Sequence, residues 1–221
     1  MTTINTNHTP TLPQTEMRFA VSHLLDITEK VVLITFFGYF LIPIIEAVWN
    51  HIDLGCFLLA ISESLVVLLV IIRKRAKTFS QNPLDWTLAF GATLTPTLVR
   101  PDSGIPSLLT NFAVFIMILG IGLQIYAKYI LGRRFGVVAA NRGICDRGPY
   151  AIVRHPIYLG YLLAHCGFLI TSFSVWNLSM YAMTYIFMVP RLFAEERLLK
   201  ADPEYAAYCS HTKFRLIPGL F

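Results

Sequence analysis

The sequence predicts an all-α integral membrane protein of about six transmembrane helices, with a polar pocket at the cytoplasmic face built by its C-terminal half. Three observations carry this. Hydrophobic residues make up 55% of the chain and charged residues only 14%, against about 25% charged in soluble domains. Mean hydropathy is +0.60. The stretch from Ile157 to Pro190 has no formal charge and is bracketed by two ionic clusters, Arg154-His155 and Arg191 to Arg197.

Residues 1–28 are polar and lack the short apolar core of a secretory signal, so the first apolar helix is expected to act as its own insertion signal. Apolar runs at 31–48, 54–72, 84–99, 108–131, 157–174 and 176–190 are the expected spans, a crossing helix needing roughly 20 apolar residues. The third and sixth are short. The last two can also form a re-entrant hairpin turning near Ser174 to Asn177, which leaves five spans. Pro43 and Pro96 are expected to kink their helices, as a packed bundle tolerates. Segment 132–156, with its glycines and Pro149, reads as a loop over the membrane face. An amphipathic helix is expected from Arg191 to Lys200. Asp202-Pro203 suits the start of another, Asp as N-cap and Pro at the first helical position, with Tyr205 and Tyr208 on one face. Three regions follow: a polar segment 1–28, N-terminal helices 29–117 and a C-terminal region 118–221.

Charge sets the orientation. A cytoplasmic N-terminus and six spans put all but Arg100 of the 18 Lys and Arg residues inside, as the positive-inside rule requires. The net charge of +5 is then a matter of membrane orientation and lipid contact, not of nucleic acid. The expected location is a membrane crossed several times, the plasma (inner) membrane in a bacterium, with both termini cytoplasmic. Cys56, Cys145, Cys166 and Cys209 form no C-x-x-C pair, which argues against a zinc or disulfide framework.

The uncharged hairpin would gather His155, Tyr158, Arg191 and Glu195 at one membrane face. Pro156 lacks an amide proton and suits the first helical turn; the helix start it opens is a natural seat for a carboxylate, with His155 at its rim. Tyr158 lies three residues on, on the same face, where it can stack on a purine or face a sulfonium; it is equally placed as an aromatic belt residue. Gly160 allows close approach of a ligand or of a neighbouring helix. Arg191 and Glu195 stand one turn apart, followed by Glu196, and read either as a salt-bridged helix end or as partners for an anionic substrate and a cofactor. Glu46 and Glu63 fall inside apparent spans, where acids are costly and mark polar contacts or proton paths. His165 reads as a packing histidine.

In order and spacing, Gly148-Pro149-Tyr150-x-x-x-Arg154-His155-Pro156-x-Tyr158-x-Gly160, then Arg191-x-x-x-Glu195-Glu196, then Glu204-Tyr205-x-x-Tyr208, then Leu216-Ile217-Pro218 resembles the isoprenylcysteine carboxyl methyltransferase family of integral membrane enzymes. The likeness covers roughly residues 118–221. It implies S-adenosyl-L-methionine as cofactor, held by Tyr150, His155, Pro156, Ile157, Tyr158 and Glu195, with the loop stretch Arg142-Gly143-Ile144-Cys145 in the place of a family loop, so that Ile144 and Cys145 join the pocket. It implies Arg191 as the substrate-carboxylate residue. The partner is then a lipophilic methyl acceptor entering from the bilayer, most simply an isoprenylcysteine-like carboxylate. Methyl transfer is an in-line displacement that needs alignment and dryness. An ionised carboxylate needs no base; an amine would, and Glu196 or His155 would be nearest.

Three rivals stand beside this. Phospholipid amine N-methyltransferases carry a similar Pro-x-Tyr-x-Gly and Glu-Glu pair. An NADPH-dependent reductase of the sterol type would show Asn and Glu where Ile157 and Tyr161 stand. A small transporter would use Glu46 and Glu63 as a polar path. Topology is open to direct test: single cysteines at positions 8 and 211 should resist an impermeant thiol reagent in intact cells. Labelling of either overturns the six-span arrangement.

Overall fold

The structure, a computed structural model, describes residues 14–50, 54–100 and 108–221. Its helices are α1 (Gln14–Asn50), α2 (Leu54–Ile72), α3 (Pro83–Leu94), α4 (Leu108–Leu131), α5 (Pro156–Thr171), α6 (Val175–Leu199) and α7 (Pro203–His211). The main helix contacts are α4 on α5, α1 on α2 and α3 on α6. The expectation of an all-α architecture agrees with this, apart from a two-residue ladder in which β1 (Thr78–Phe79) runs antiparallel to β2 (Ala140–Asn141). Segment 1–13, which holds residue 8, lies outside the described residues.

The α4–α5 contact is made by glycine. A Cβ on Gly120 would lie 2.5 Å from the Ala164 nitrogen, one on Gly160 2.8 Å from the Gly120 carbonyl oxygen, and one on Gly167 2.5 Å from the Ala113 carbonyl oxygen. Only hydrogen fits at these points, so the two backbones touch. Gly160 thus serves helix packing.

Two expectations need correction. Pro190 was expected to end a span, with a separate amphipathic helix after it. Instead α6 runs unbroken through Pro190 for 25 residues. Proline removes one intrahelical bond, and the packing of α6 on α3 holds both flanks in line. At α3, the helix changes to a 3-10 turn over Thr95–Leu98, with Pro96 inside it, so the proline tightens the helix end instead of kinking it. The expectation of spans is met in part. Among the described residues one stretch, Leu109–Arg134, is long and apolar enough to cross a membrane, while Phe57–Ile72 and Pro156–Thr171 are apolar but shorter. The outward faces of the other helices are nonetheless apolar: Leu24, Val31, Tyr39 and Ile45 of α1, Leu68 and Ile71 of α2, and Met183, Ile186 and Val189 of α6 are all exposed.

The connection between α4 and α5 is held from the N-terminal helices. Gly132, at φ 55°, closes α4 in the left-handed conformation that glycine adopts freely. Lys30 and Arg133 donate to the Ile71 and Ile72 carbonyls at 3.0 and 2.9 Å, satisfying the end of α2. Farther on, Glu29 is fully buried. Its Oε1 accepts from the Val137 and Val138 amides at 2.9 and 2.8 Å. Its Oε2 lies 2.8 Å from Arg73 and 3.3 Å from Arg142, and Asp26 Oδ1 completes the square at 2.9 and 2.8 Å from the same two arginines.

Breaking a buried ion pair on one side costs about 3–5 kcal/mol. Glu29→Ala should therefore lower the melting temperature in detergent strongly and speed hydrogen exchange at the Val137 and Val138 amides, and Glu29→Gln, which keeps an acceptor oxygen, should do less. Unchanged exchange at those two amides in Glu29→Ala would contradict the clamp.

Candidate functional site

A cavity of about 680 Å³ runs between the helices. Its polar end is lined by Ile144, Cys145, Tyr150, His155, Ile157, Tyr158, Arg191, Glu195, Tyr205 and Tyr208. Its deeper part is walled by apolar side chains such as Phe40, Leu59, Met117, Ile121 and Phe168, and reaches Thr97 and Val99. These last two lie beside Arg100, whose backbone exchanges hydrogen bonds with Asn177 at the start of α6. The cavity therefore extends along much of α6, a helix about 37 Å long at 1.5 Å per residue.

The polar end is set by the start of α5 and the end of α6. His155 is the N-cap residue and Pro156 occupies the first turn. The Arg154 and His155 amides donate to the Phe214 and Arg215 carbonyls at 3.0 and 2.8 Å, so the C-terminal tail pins this corner. The His155 and Tyr158 rings stack at 5.4 Å and 5°. Tyr158 donates its hydroxyl to Glu195 Oε2 at 3.0 Å. From Tyr158 the stack continues through Tyr161 and His165 to Tyr181. His165 also pairs with the Tyr185 hydroxyl at 3.2 Å.

Arg191 is buried, and its guanidinium stands 5.4 Å from the Tyr158 ring centroid. It makes no ion pair with Glu195 or with any other described carboxylate, and its Nε has no hydrogen-bond partner. The Tyr150 and Tyr205 hydroxyls are likewise buried and unpartnered. Burial pushes the Tyr150 phenol well above its ordinary value, and does the same to Tyr205, so both are neutral donors at physiological pH.

Glu196, expected as a base for an amine acceptor, does not line the cavity and lies 3.0 Å from Arg154 and from Arg215 and 3.4 Å from His155. Burial raises its carboxyl, but hydrogen bonds from His155 and Arg215 and the charges of His155 and Arg154 outweigh this and hold it at about 2. A carboxylate so stabilised takes up a proton poorly. Pro156 is buried under the helix start and does not line the cavity either. Glu46 is exposed on α1, away from the cavity, whereas Glu63 lines it.

Sequence reading missed the Asp26–Glu29–Arg73–Arg142 square. Arg142 was expected in the cofactor loop, and it does line the cavity, yet its charge is directed to α1. The signal was present: two acids three residues apart at the edge of an apolar run need partners.

Residues 108–202 match the family model described as phospholipid methyltransferase, a family of the isoprenylcysteine carboxyl methyltransferase superfamily of membrane methyltransferases. The matched stretch holds α4, α5 and most of the residues at the cavity's polar end, while α1, α2 and α3 fall outside it. The cobalt-zinc-cadmium resistance protein CzcN of Cupriavidus metallidurans is 31% identical over 109 residues, 48% of this chain and 48% of that protein. The chain thus spans about half the length of this curated relative.

The Glu196 cluster makes a pH prediction. Because its folded-state value of about 2 lies below the ordinary 4.5, its stabilisation is full above pH 4.5 and is lost as pH falls towards 2. In a series of melts in detergent, the wild-type chain should exceed Glu196→Gln by a constant margin above pH 4.5, and the margin should close towards pH 2. A margin that does not change with pH would contradict the ion cluster.

Proposed function

We propose that this chain is a multi-pass membrane methyltransferase dependent on S-adenosyl-L-methionine, crossing the bilayer about six times with both termini cytoplasmic, and that it methylates the carboxylate of a lipophilic acceptor. The carrying observation is Arg191: a buried guanidinium facing the cavity with no carboxylate of its own. A buried unpaired cation is costly, and a substrate carboxylate is the group that its planar two-donor fork fits best.

The cofactor fits the residues present. Tyr150, His155, Ile157, Tyr158 and Glu195, with Ile144 and Cys145 beside them, would hold it at the polar end, and the orphaned Tyr150 and Tyr205 hydroxyls match a ligand rich in acceptors. S-adenosyl-L-methionine supplies a methyl group on a sulfonium. Arg191 orients the acceptor and keeps it ionised, the stacked His155 and Tyr158 rings shape the wall, and the apolar part of the cavity takes the lipophilic body and keeps water out. Glu196 serves as the anchor of Arg154, His155 and Arg215.

The family description at residues 108–202 favours a second reading, N-methylation of a phospholipid amine. Deprotonation would then fall to His155, since Glu196 is engaged. For the metals in the name of the C. metallidurans relative, no group of three or more His, Cys, Asp or Glu side chains that could hold a metal ion is found among the described residues. Labelled product from S-adenosyl-L-methionine and a membrane extract separates the two readings: an ester releases methanol in base and a methylated amine does not.

Two sets of variants test the site. His155→Ala, Tyr158→Ala and Glu195→Ala should each weaken S-adenosylhomocysteine binding about tenfold or more, the usual cost of a hydrogen bond to a charged group; calorimetry with all three unchanged would remove the pocket assignment. Arg191→Ala should leave that affinity nearly intact and remove most turnover, and Arg191→Lys should recover little. Equal losses of binding and turnover in Arg191→Ala would end the carboxylate reading.

A further inference from the structure

About one helical turn deeper than Tyr158, two polar side chains interrupt the apolar wall of the cavity. Glu63 projects from α2 and Gln124 from α4, and both line the space. Glu63 is 9% exposed and Gln124 4%. Neither side chain makes a hydrogen bond: Lys128 Nζ stands 3.8 Å from Glu63 Oε1, too far for one, and gives its own bond to Ser62 Oγ at 2.8 Å. Gln124 is seated against the start of α5, where a Cβ on Gly160 would lie 2.6 Å from its Cγ. Tyr161 shares this level, 5.7 Å from Lys128 Nζ. The helical rise from residue 158 to 161 is about 4.5 Å, so the pair lies close to the head-group end. Glu63 is ion-paired with Lys128 yet makes no hydrogen bond, and the Gln124 amide has no hydrogen-bond partner among the described residues, so both keep hydrogen-bonding capacity open to the same cavity.

We propose that Glu63 and Gln124 form a second subsite that takes a neutral hydroxyl of the methyl acceptor, a few bonds from its reactive carboxylate. A second cation there would stand beside Lys128, and an anion would stand beside Glu63. A hydroxyl avoids both, because it donates to the carboxylate and accepts from the amide at once. This rests on the cavity being the acceptor's site, and it narrows the acceptor from any lipophilic acid to a hydroxylated one. A plain hydrocarbon chain would leave the Gln124 amide and the free lone pairs of Glu63 without a hydrogen bond.

The test is calorimetry on the full chain in detergent, without cofactor, titrated with palmitic, 3-hydroxypalmitic and 5-hydroxypalmitic acids. One of the hydroxylated acids should bind about tenfold tighter than palmitic acid, as a bond to a charged group gives. Gln124→Leu should abolish this preference and leave palmitate affinity unchanged. Glu63→Leu strips Lys128 of its counter-charge and can unfold, so the double variant Glu63→Leu with Lys128→Met carries the same test. No preference in the wild-type chain, or a preference that survives in these variants, overturns the subsite. Arg191→Ala separates the two readings. A hydroxyl preference that persists while Arg191→Ala fails to weaken the acids supports the subsite and removes the carboxylate reading alone. A lost preference with the Arg191 effect intact removes the subsite alone.

Discussion

A single buried carboxylate, that of Glu29, joins the two halves of this molecule. It accepts from two consecutive amides of the α4–α5 connection and faces two arginines, one from the end of α2 and one from the connection itself. Such a connection would otherwise carry unsatisfied backbone donors into the protein interior. With Glu29 in place, residues 135–145 lie against α1 and α2 and close one side of the cavity. The region matched to membrane methyltransferases begins at residue 108, so the wall of its pocket depends on helices that the match does not include.

Charge is distributed along the cavity by which groups are already satisfied. Glu196 has three partners and Glu195 has Tyr158, whereas Arg191 has none beyond an aromatic face. The acids are engaged by the protein and the guanidinium is not; on the proposed function it is the group that would meet the acceptor's carboxylate, and weak screening by water in a buried site would strengthen that contact.

Much of the site was legible from residue spacing. Pro156 at the start of α5, Asp202 as the cap of α7 and the shared face of Tyr205 and Tyr208 all follow from local rules of helix ends and periodicity, and the structure agrees. What could not be read was long-range pairing. Glu195 and Glu196 are neighbours with the same chemistry, and only the fold decides that one turns to Tyr158 and the other to Arg154 and Arg215. Likewise Arg142 sits in a recognisable loop, yet its partners are more than a hundred positions earlier in the chain. The continuity of α6 through Pro190 has the same origin, since tertiary packing overrides a local breaker.

The glycine contacts between α4 and α5 carry a consequence for traffic. Where two backbones meet at Gly120, Gly160 and Gly167, no side chain is present to swing aside, and parting the seam would mean moving whole helices. That flank of the cavity is a shut door. On the proposed function, a lipophilic acceptor would enter more readily through a seam faced with rotatable groups, such as that between α3 and α6, where the Phe187 ring lies against Gly91. The direction of entry would then follow from where the smallest residues of the chain fall.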